Sequence, residues 1–222
     1  MGLYIDALVN MPRKKFYPTT DYPYHVTART TNKEWFGAPM EVVWGLFSDY
    51  LHFIWRAYDV RIHAFVLMNN HFHMLISTPE ANLDLAMNYL LREVSKRIGE
   101  KTGRINQIFG GPYHWSVIKN SIHYQHAYKY VYRNPVHAGI CKNVEDYKYS
   151  SLPGLLGLDY LYIPVYDNLN LIQNPVTQLR WLNDEYEDED REAIFRALKR
   201  REFGFSRDSS TARIHYLENT VV

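Results

Sequence analysis

Two histidines separated by a single residue form the most chemically suggestive stretch of the sequence. His71 and His73 follow an Asn69-Asn70 pair, which favours a tight turn between two strands of a β-hairpin. Alternate side chains of a strand point to opposite faces, so both imidazoles would share one face while Phe72 faces the core. Two imidazoles on one face of a sheet are suited to hold a metal ion. The alternative, that one histidine is solvated and the other bonds to backbone, stays open from this stretch alone.

A second set of polar side chains recurs at helical spacing. His126, Tyr130 and Asn134 are four residues apart, so they would line one face of a helix. If that face lies against the histidine strand, a phenol and a carboxamide meet two imidazoles. Two histidines and an asparagine are neutral nitrogen and oxygen ligands, which would bind Mg²⁺ or Mn²⁺ only weakly until the phosphate of a substrate adds negative oxygens.

These groups suggest phosphodiester chemistry. A phenol with a pKa of about 10 is a poor nucleophile at neutral pH, but a metal bound to the scissile phosphate can offset this. Attack by a tyrosine on a phosphodiester would give a covalent phosphotyrosine and release a hydroxyl. Because the covalent link conserves the bond energy, the strand could be rejoined without a nucleotide cofactor. Spacing alone does not single out Tyr130, because Tyr124, Tyr128 and Tyr132 lie on the same helix.

The elements that must position these residues follow from periodicity along the chain. Period-two alternation predicts strands over residues 22–29, 61–67, 71–77 and 113–118. Helical spacing predicts helices over 39–58, between Asn82 and Gly103, and from a cap at Asn120 or Ser121 to about Arg133, where Pro135 is expected to end the helix. The order β-α-β-β-α-β-α is that of a ferredoxin-like α+β fold with one added helix, which predicts a four-stranded antiparallel sheet with helices on one face.

The composition predicts a folded protein of a reducing compartment. Hydrophobic residues make up 46% and aromatic residues 15% of the 222 positions, which favours a packed core over disorder. Cys141 is the only cysteine, which excludes an internal disulfide and a zinc site built from cysteines. The apolar runs are too short to span a bilayer and no signal-peptide pattern is present. A cytoplasmic protein with no membrane partner is therefore expected.

Charge is unevenly distributed. Residues 1–150 carry 17 Lys and Arg against 12 Asp and Glu, a net charge of +5, whereas residues 151–222 carry 8 against 12, a net charge of −4. A mildly basic body fits a nucleic-acid binder but does not decide the function.

Residues 152–166 are expected to wrap the body. A last helix is expected over 178–203, acidic at its start and basic at its end, as the helix dipole favours.

Two motifs in the right order resemble those of a known family. The His71-Phe72-His73 stretch resembles the His-hydrophobe-His motif of HUH endonucleases. The segment that begins at Tyr130 and continues through Asn134-Pro135 to Gly139 resembles the Tyr-x-x-x-Asn-Pro-Val-x-Ala-Gly segment of REP-associated tyrosine transposases, single-tyrosine relatives of transposases that mobilise single-stranded DNA. Residues 24–29 also match the opening strand of that family. The resemblance covers roughly residues 12–155.

The resemblance implies a role for each motif residue. His71 and His73 would be metal ligands, Tyr130 the nucleophile that forms a 5′-phosphotyrosine, and Asn134 a third ligand. Some related transposases carry Gln at this last position, and Asn is one methylene shorter. His126 on the same face therefore remains a rival for the third ligand, although bonding of its ring to backbone or water is the simpler interpretation.

The resemblance also predicts the organisation and the substrate. We expect an N-terminal extension over 1–11, a single-tyrosine HUH transposase-like catalytic domain over 12–150, and a C-terminal wrapping segment with a helix over 151–222. The substrate would be single-stranded or hairpin DNA, cleaved beside the stem with Mg²⁺ or Mn²⁺ as cofactor, by a monomer or a homodimer. Candidate phosphate contacts are Arg13, Lys14, Lys15, Arg29 and Arg97, and Trp115 is a candidate stacking surface.

Two functions of other classes compete with this interpretation. A non-catalytic nucleic-acid-binding module on the same fold would bind without a metal and would leave the histidine pair unexplained. A metallohydrolase acting on small phosphate esters would normally use carboxylate ligands, and no Asp or Glu accompanies these motifs.

Overall fold

A four-stranded antiparallel sheet organises the protein. The computed structural model describes residues 18–170, 173–206 and 214–221. The strands are β1 (Tyr24–Arg29), β2 (Arg61–Leu67), β3 (His71–Ser77) and β4 (His114–Val117), in the spatial order β2-β3-β1-β4. This is the ferredoxin-like arrangement, so the predicted α+β class and sheet are confirmed. The expected extension over 1–11 lies outside the described residues.

Helices cover both faces of this sheet. They are α1 (Met40–Tyr58), α2 (Leu83–Thr102), α3 (Ser121–His137), α4 (Leu152–Leu155), α5 (Pro175–Asn183) and α6 (Asp188–Leu198). The expectation of helices on one face holds for α1 and α2, whereas the added helix α3 packs on the opposite face against β2 and β3. The physical reason is that Ala64, Val66 and Leu75 make this second face apolar as well, so it too must be covered. Every helix in the described residues is too short or too polar to span a bilayer.

The hairpin that carries the histidines is built as predicted. Leu67 on β2 pairs with Phe72 on β3, and the backbone N–H of Met68 donates to the carbonyl of His71 at 2.8 Å, which closes a turn over Asn69 and Asn70. The ring of Phe72 is fully buried against Phe47, Phe65 and Phe109 in the core beneath α1 and α2. The hairpin therefore separates an apolar face from an imidazole face.

Helix α3 does not end where the sequence predicted. The expected cap at Asn120 is present, because its Oδ1 accepts a hydrogen bond from the backbone N–H of His123 at 2.8 Å. The expected end before Pro135 is wrong, since the helix continues to His137. Proline has no N–H to donate to the carbonyl four residues earlier. The side-chain Nδ2 of Asn134 compensates by donating to the carbonyls of Tyr130 at 2.8 Å and Val131 at 3.4 Å.

Two helices of the C-terminal segment, α5 and α6, pack against α3. The single helix expected over 178–203 is wrong, because the chain leaves the helical conformation between α5 and α6. The guanidinium of Arg133 donates to the carbonyls of Leu182 at 3.2 Å and Asn183 at 2.6 Å, which satisfies acceptors at the end of α5. Tyr186, in the break, is buried in the second core between the sheet, α3 and the C-terminal helices. The segment thus completes that core.

Substitutions on the two faces of β3 should lower stability to different extents. Phe72→Ala should lower the free energy of unfolding by about 3–5 kcal/mol, because the fully buried ring leaves a cavity. His71→Ala, one residue away, removes a half-buried ring and one hydrogen bond, so its loss should be about 1 kcal/mol. Urea denaturation of both variants measures the difference. Equal losses would contradict the assignment of the two faces.

Candidate active site

The histidines, Tyr130 and Asn134 line one cleft on the α3 side of the sheet. The cleft has a volume of about 720 Å³ and is bounded by β1, β3, the start of β4, α3, the end of α6 and the loops around residues 30–33 and 110–112. The register places Arg29 of β1 opposite His71 and Thr27 opposite His73. The two imidazole centroids are 5.1 Å apart. The structure therefore brings the histidine motif of β3 and the Tyr130–Asn134 motif of α3 into one cleft.

One ring nitrogen of each motif histidine has a protein partner. His71 Nδ1 lies 2.7 Å from the Oδ1 of Asn70, whose Nδ2 donates to the carbonyl of Lys33 at 2.6 Å. His73 Nδ1 lies 2.9 Å from the Nε2 of His25 on β1. Because both Nδ1 atoms are engaged, the Nε2 atom of each ring is left for a ligand.

Burial keeps both imidazoles neutral. Desolvation, followed by the charge of Arg29, lowers the pKa of His71 to about 4. Desolvation also holds the pKa of His73 well below its usual value, with further contributions from His25, His71 and Arg29. A histidine binds a metal through the lone pair of its neutral ring, so both groups are in the required state at pH 7.

Tyr130 is the tyrosine of α3 that reaches the cleft. Its ring stands nearly perpendicular to that of His73, with centroids 5.7 Å apart. The side chain is 8% exposed, and burial raises its pKa to about 12, although Arg191 and Arg29 oppose the rise. The phenol is therefore protonated at neutral pH. All four tyrosines of α3 pack in the second core, but Tyr124, Tyr128 and Tyr132 do not line the cleft, whereas Tyr130 does.

The structure distinguishes the two candidates for a third ligand, because only one of them lines the cleft. Asn134 lines the cleft, and its Nδ2 is occupied by the helix backbone, which leaves the Oδ1 oxygen for a ligand. His126 does not line the cleft, since its buried ring contacts the carbonyls of Leu217 at 3.0 Å and Thr220 at 2.9 Å. A separation of eight residues turns a helix position by about 80°, so the shared face inferred from spacing was only approximate.

The donors that face the cleft fit a weak site for a hard divalent ion. Two neutral imidazoles and an amide oxygen leave coordination positions that phosphate oxygens could fill. In the part of the chain that the structure describes, no group of three or more His, Cys, Asp or Glu side chains could hold a metal. Any metal here would depend on His71, His73, Asn134 and the substrate.

The predicted phosphate-contact residues that the structure describes lie on opposite sides of the sheet. Arg29 lines the cleft. Arg97 lies on α2 at the opposite side of the sheet, where its guanidinium donates to the Tyr50 hydroxyl at 3.1 Å and to Glu100 at 3.0 Å. Trp115 packs edge-on against the ring of Tyr24, beside the core beneath α1 and α2, rather than in the cleft. Arg13, Lys14 and Lys15 lie outside the described residues.

Several residues of the cleft were missed from the sequence, among them His25, Lys33 and Lys199. His25 alternates with the apolar residues of β1, so the same period-two argument that placed His71 could have found it. Lys33 lies in a turn whose residues 32 and 33 both have positive φ. Lys199 follows α6, and no local signal connects it with a cleft formed by strands more than 80 residues earlier.

Comparison with known proteins shows the family of the chain. A family model described as "Transposase IS200 like" matches residues 19–134, which is more than half of the chain. The chain belongs to the IS200-like transposase family. The matched range begins just before β1 and ends at Asn134, so it includes His25, the histidine pair and Tyr130.

Two relatives support the resemblance inferred from the motifs. The chain is 32% identical over 91 residues to the REP-associated tyrosine transposase of Escherichia coli (strain K12). The alignment covers 40% of this chain and spans about half (53%) of that relative's length. A solved structure of a REP-associated tyrosine transposase bound to a REP hairpin matches with a TM-score of 0.55 and 23% identity, over 71% of this chain and 93% of the other. This second likeness shows a common fold.

The buried histidines predict how stability depends on pH. His63 on β2 lies 2.7 Å from the Ser77 hydroxyl, and desolvation lowers its pKa to about 4, against a smaller rise from its hydrogen bond with the Tyr166 backbone. A folded-state pKa below the unfolded value of about 6.5 means that the unfolded chain takes up the proton first. The stabilising contribution is therefore complete above about pH 6.5 and is lost as the pH falls towards 4.

His63→Gln removes this titration and should flatten the pH dependence of stability. Between pH 6.5 and 4 the free energy of unfolding of the parent protein should fall more steeply, by up to about 1.4 kcal/mol per pH unit for one proton. Urea denaturation at half-unit pH intervals measures both slopes. Identical slopes would show that His63 titrates in the same way in the folded and unfolded protein.

Proposed function

We propose that this protein is a metal-dependent single-strand DNA endonuclease and strand transferase that acts on hairpin DNA through a 5′-phosphotyrosine intermediate. The observation that carries the proposal is the position of Tyr130, whose ring lies 5.7 Å from that of His73 in a cleft also lined by His71 and Asn134. A phenol beside neutral metal-binding groups is the arrangement that tyrosine-dependent phosphodiester cleavage requires.

The proposed reaction balances without a nucleotide cofactor. The phenolic oxygen of Tyr130 forms a bond to the scissile phosphorus, and the bond from phosphorus to the 3′ oxygen breaks. The phenol loses one proton and the departing 3′ oxygen gains one. A divalent ion held by His71, His73 and Asn134 would supply the Lewis acidity that a phenol with a pKa near 12 needs. Attack by a 3′ hydroxyl on the phosphotyrosine reverses the reaction and joins the strand.

The charge of the cleft supports a polyanionic substrate. Arg29, Lys33 and Lys199 line the cleft, and no Asp or Glu is present among the described residues that line it. A cleft with cationic side chains and no carboxylate favours a phosphate backbone. The same lack of carboxylates argues against a hydrolase for small phosphate esters, which would need them as metal ligands.

The substrate is proposed to be a hairpin with a single-stranded flank. The solved relative is bound to a REP hairpin, and this chain shares its fold. Within the described residues, the cleft is formed by the sheet, α3, the end of α6 and two loops, and none of these elements would separate paired strands. An unpaired flank gives the phenol access to a phosphate without the cost of opening a duplex.

The decisive experiment incubates the full chain with repeat-derived hairpins that carry single-stranded flanks, with Mn²⁺, Mg²⁺ or EDTA. A covalent protein–DNA band in denaturing gels, dependent on the metal and absent with the fully paired duplex, is expected. Hairpin binding without an adduct under any metal condition would instead indicate a non-catalytic binding module. Equal cleavage of hairpin and duplex would indicate a duplex nuclease.

Tyr130→Phe should abolish the adduct while the fold and hairpin binding are retained, because the change removes only the phenolic oxygen. Tyr132→Phe is the matched control, since Tyr132 lies on the same helix but its hydroxyl is 2.8 Å from the Ser151 hydroxyl, in the second core. Peptide mapping of the adduct identifies the modified residue. Full activity of Tyr130→Phe, or a modified peptide containing Tyr128 or Tyr132 alone, would mean that another residue is the nucleophile.

Removing single positive charges should weaken hairpin binding only on the side of the sheet that carries the cleft. Arg29→Ala and Lys199→Ala should each weaken hairpin binding and reduce the slope of log K against log[salt] by about 0.7–0.9, the effect of one lost phosphate contact. Arg97→Ala is the matched control on the opposite side and should leave the slope unchanged. Fluorescence anisotropy at several salt concentrations measures the slopes. A reduced slope for Arg97→Ala alone would place the DNA on the α2 side.

A further inference from the structure

A third histidine of the cleft, His25, lies next to the proposed metal-binding pair and has no part in the proposed reaction. His25 on β1 is 2% exposed, and its Nε2 is 2.9 Å from the Nδ1 of His73. The two rings are stacked at a centroid distance of 5.1 Å with 23° between their planes. This contact joins neighbouring strands, because Thr27 of β1 is paired with His73 of β3.

The direction of this hydrogen bond determines whether His73 can bind a metal. If His73 Nδ1 carries the proton, it donates to His25 Nε2 and the Nε2 of His73 keeps its lone pair. If His25 Nε2 carries the proton, His73 Nδ1 must accept it, and the single proton of a neutral His73 ring is then on Nε2. Only the first arrangement leaves a lone pair on the nitrogen available to a metal.

The other motif histidine has an equivalent partner. The Oδ1 of Asn70 can only accept, so it holds the proton of His71 on Nδ1. The Nδ2 of Asn70 is anchored on the carbonyl of Lys33, which fixes the amide in this orientation. Each of the two metal-binding rings thus has one acceptor behind it, an amide oxygen for His71 and an imidazole nitrogen for His73.

A purely structural role explains His25 poorly. In the described part of the chain its Nδ1 is buried and has no hydrogen-bond partner. An orphaned buried nitrogen lowers stability whichever nitrogen of the ring carries the proton. An apolar side chain at this position would avoid that cost, so packing alone does not account for an imidazole here.

We propose that His25 is a positioning residue for the metal site. Its Nε2 accepts the Nδ1 proton of His73, which holds the His73 ring in place and leaves the Nε2 of His73 unprotonated for the ion. This role rests on the metal site of the proposed function. It extends the site from the motif strand to β1 and explains the imidazole–imidazole contact between the two strands.

Two substitutions at one position separate the acceptor from the bulk of the side chain. His25→Leu removes the acceptor, whereas His25→Gln can present an amide oxygen to His73 Nδ1. His63→Leu is the control, because His63 is also buried on this face of the sheet but bonds to Ser77 and Asn168 and does not line the cleft. All are made in the full chain with Tyr130→Phe, so that a bound hairpin is not cleaved.

Mn²⁺ binding to the protein–hairpin complex is measured from the electron paramagnetic resonance of free Mn²⁺, with the hairpin alone subtracted. His25→Leu should weaken Mn²⁺ binding by about 10–100-fold, the usual effect of removing the partner of a ligating histidine. His25→Gln should recover most of the affinity, and His63→Leu should retain the parent value. Hairpin binding in EDTA should be the same in all of them.

A measurement on the unsubstituted chain is independent of whether the variants fold. Nitrogen-15 spectra of the histidines, without metal, should show His73 with its proton on Nδ1 and an unprotonated Nε2. A proton on the Nε2 of His73, or parent Mn²⁺ affinity in a folded His25→Leu protein, would overturn the role of His25 alone. Failure of the parent complex to bind Mn²⁺ would overturn the metal site of the proposed function together with this role.

Discussion

The packing of α3 against the imidazole face of the sheet is the interaction on which the rest of the structure depends. The sheet is apolar on both faces near β2 and β3, but the same α3 side also carries His25, His71 and His73. One helix therefore has to bury an apolar surface and leave a cleft over the histidines. Tyr128 and Tyr132 cover the apolar surface in the second core, and Tyr130 lies at the border between that core and the cleft.

Burial on this scale keeps the titratable groups beneath the cleft neutral. Desolvation lowers the pKa values of the buried histidines and raises that of Tyr130, so the cleft contains uncharged chemical groups surrounded by Arg29, Lys33 and Lys199. Neutral ligands bind a hard cation weakly by themselves. Such a site is expected to gain affinity when a phosphate enters, which would couple metal binding to substrate binding.

The C-terminal segment is part of the cleft, although its net charge suggests otherwise. This segment has four more acidic than basic residues, yet it places Phe195, Leu198 and Lys199 at the rim of the cleft. Arg133 on α3 holds the end of α5, and this contact keeps the following helix, α6, beside Tyr130. The average charge of a segment therefore says little about the side chains that it presents to a particular site.

Local periodicity in the sequence was sufficient to predict the four strands and the face shared by His71 and His73, because each depends on neighbours within one strand. The order of these elements along the chain predicted the ferredoxin-like fold, and the helix cap was narrowed to Asn120 or Ser121. Spacing could not single out Tyr130, because α3 carries three other tyrosines. It could not choose between Asn134 and His126 either, because eight residues of helix rotate a side chain by about 80°. Only the tertiary structure decided which of them face the cleft. It also decided that α3 continues through Pro135, that the chain breaks between α5 and α6, and that Lys199 lines the cleft. Those features depend on contacts between residues far apart in the chain, such as Arg133 with Asn183 and His25 with His73, and no local pattern encodes such contacts.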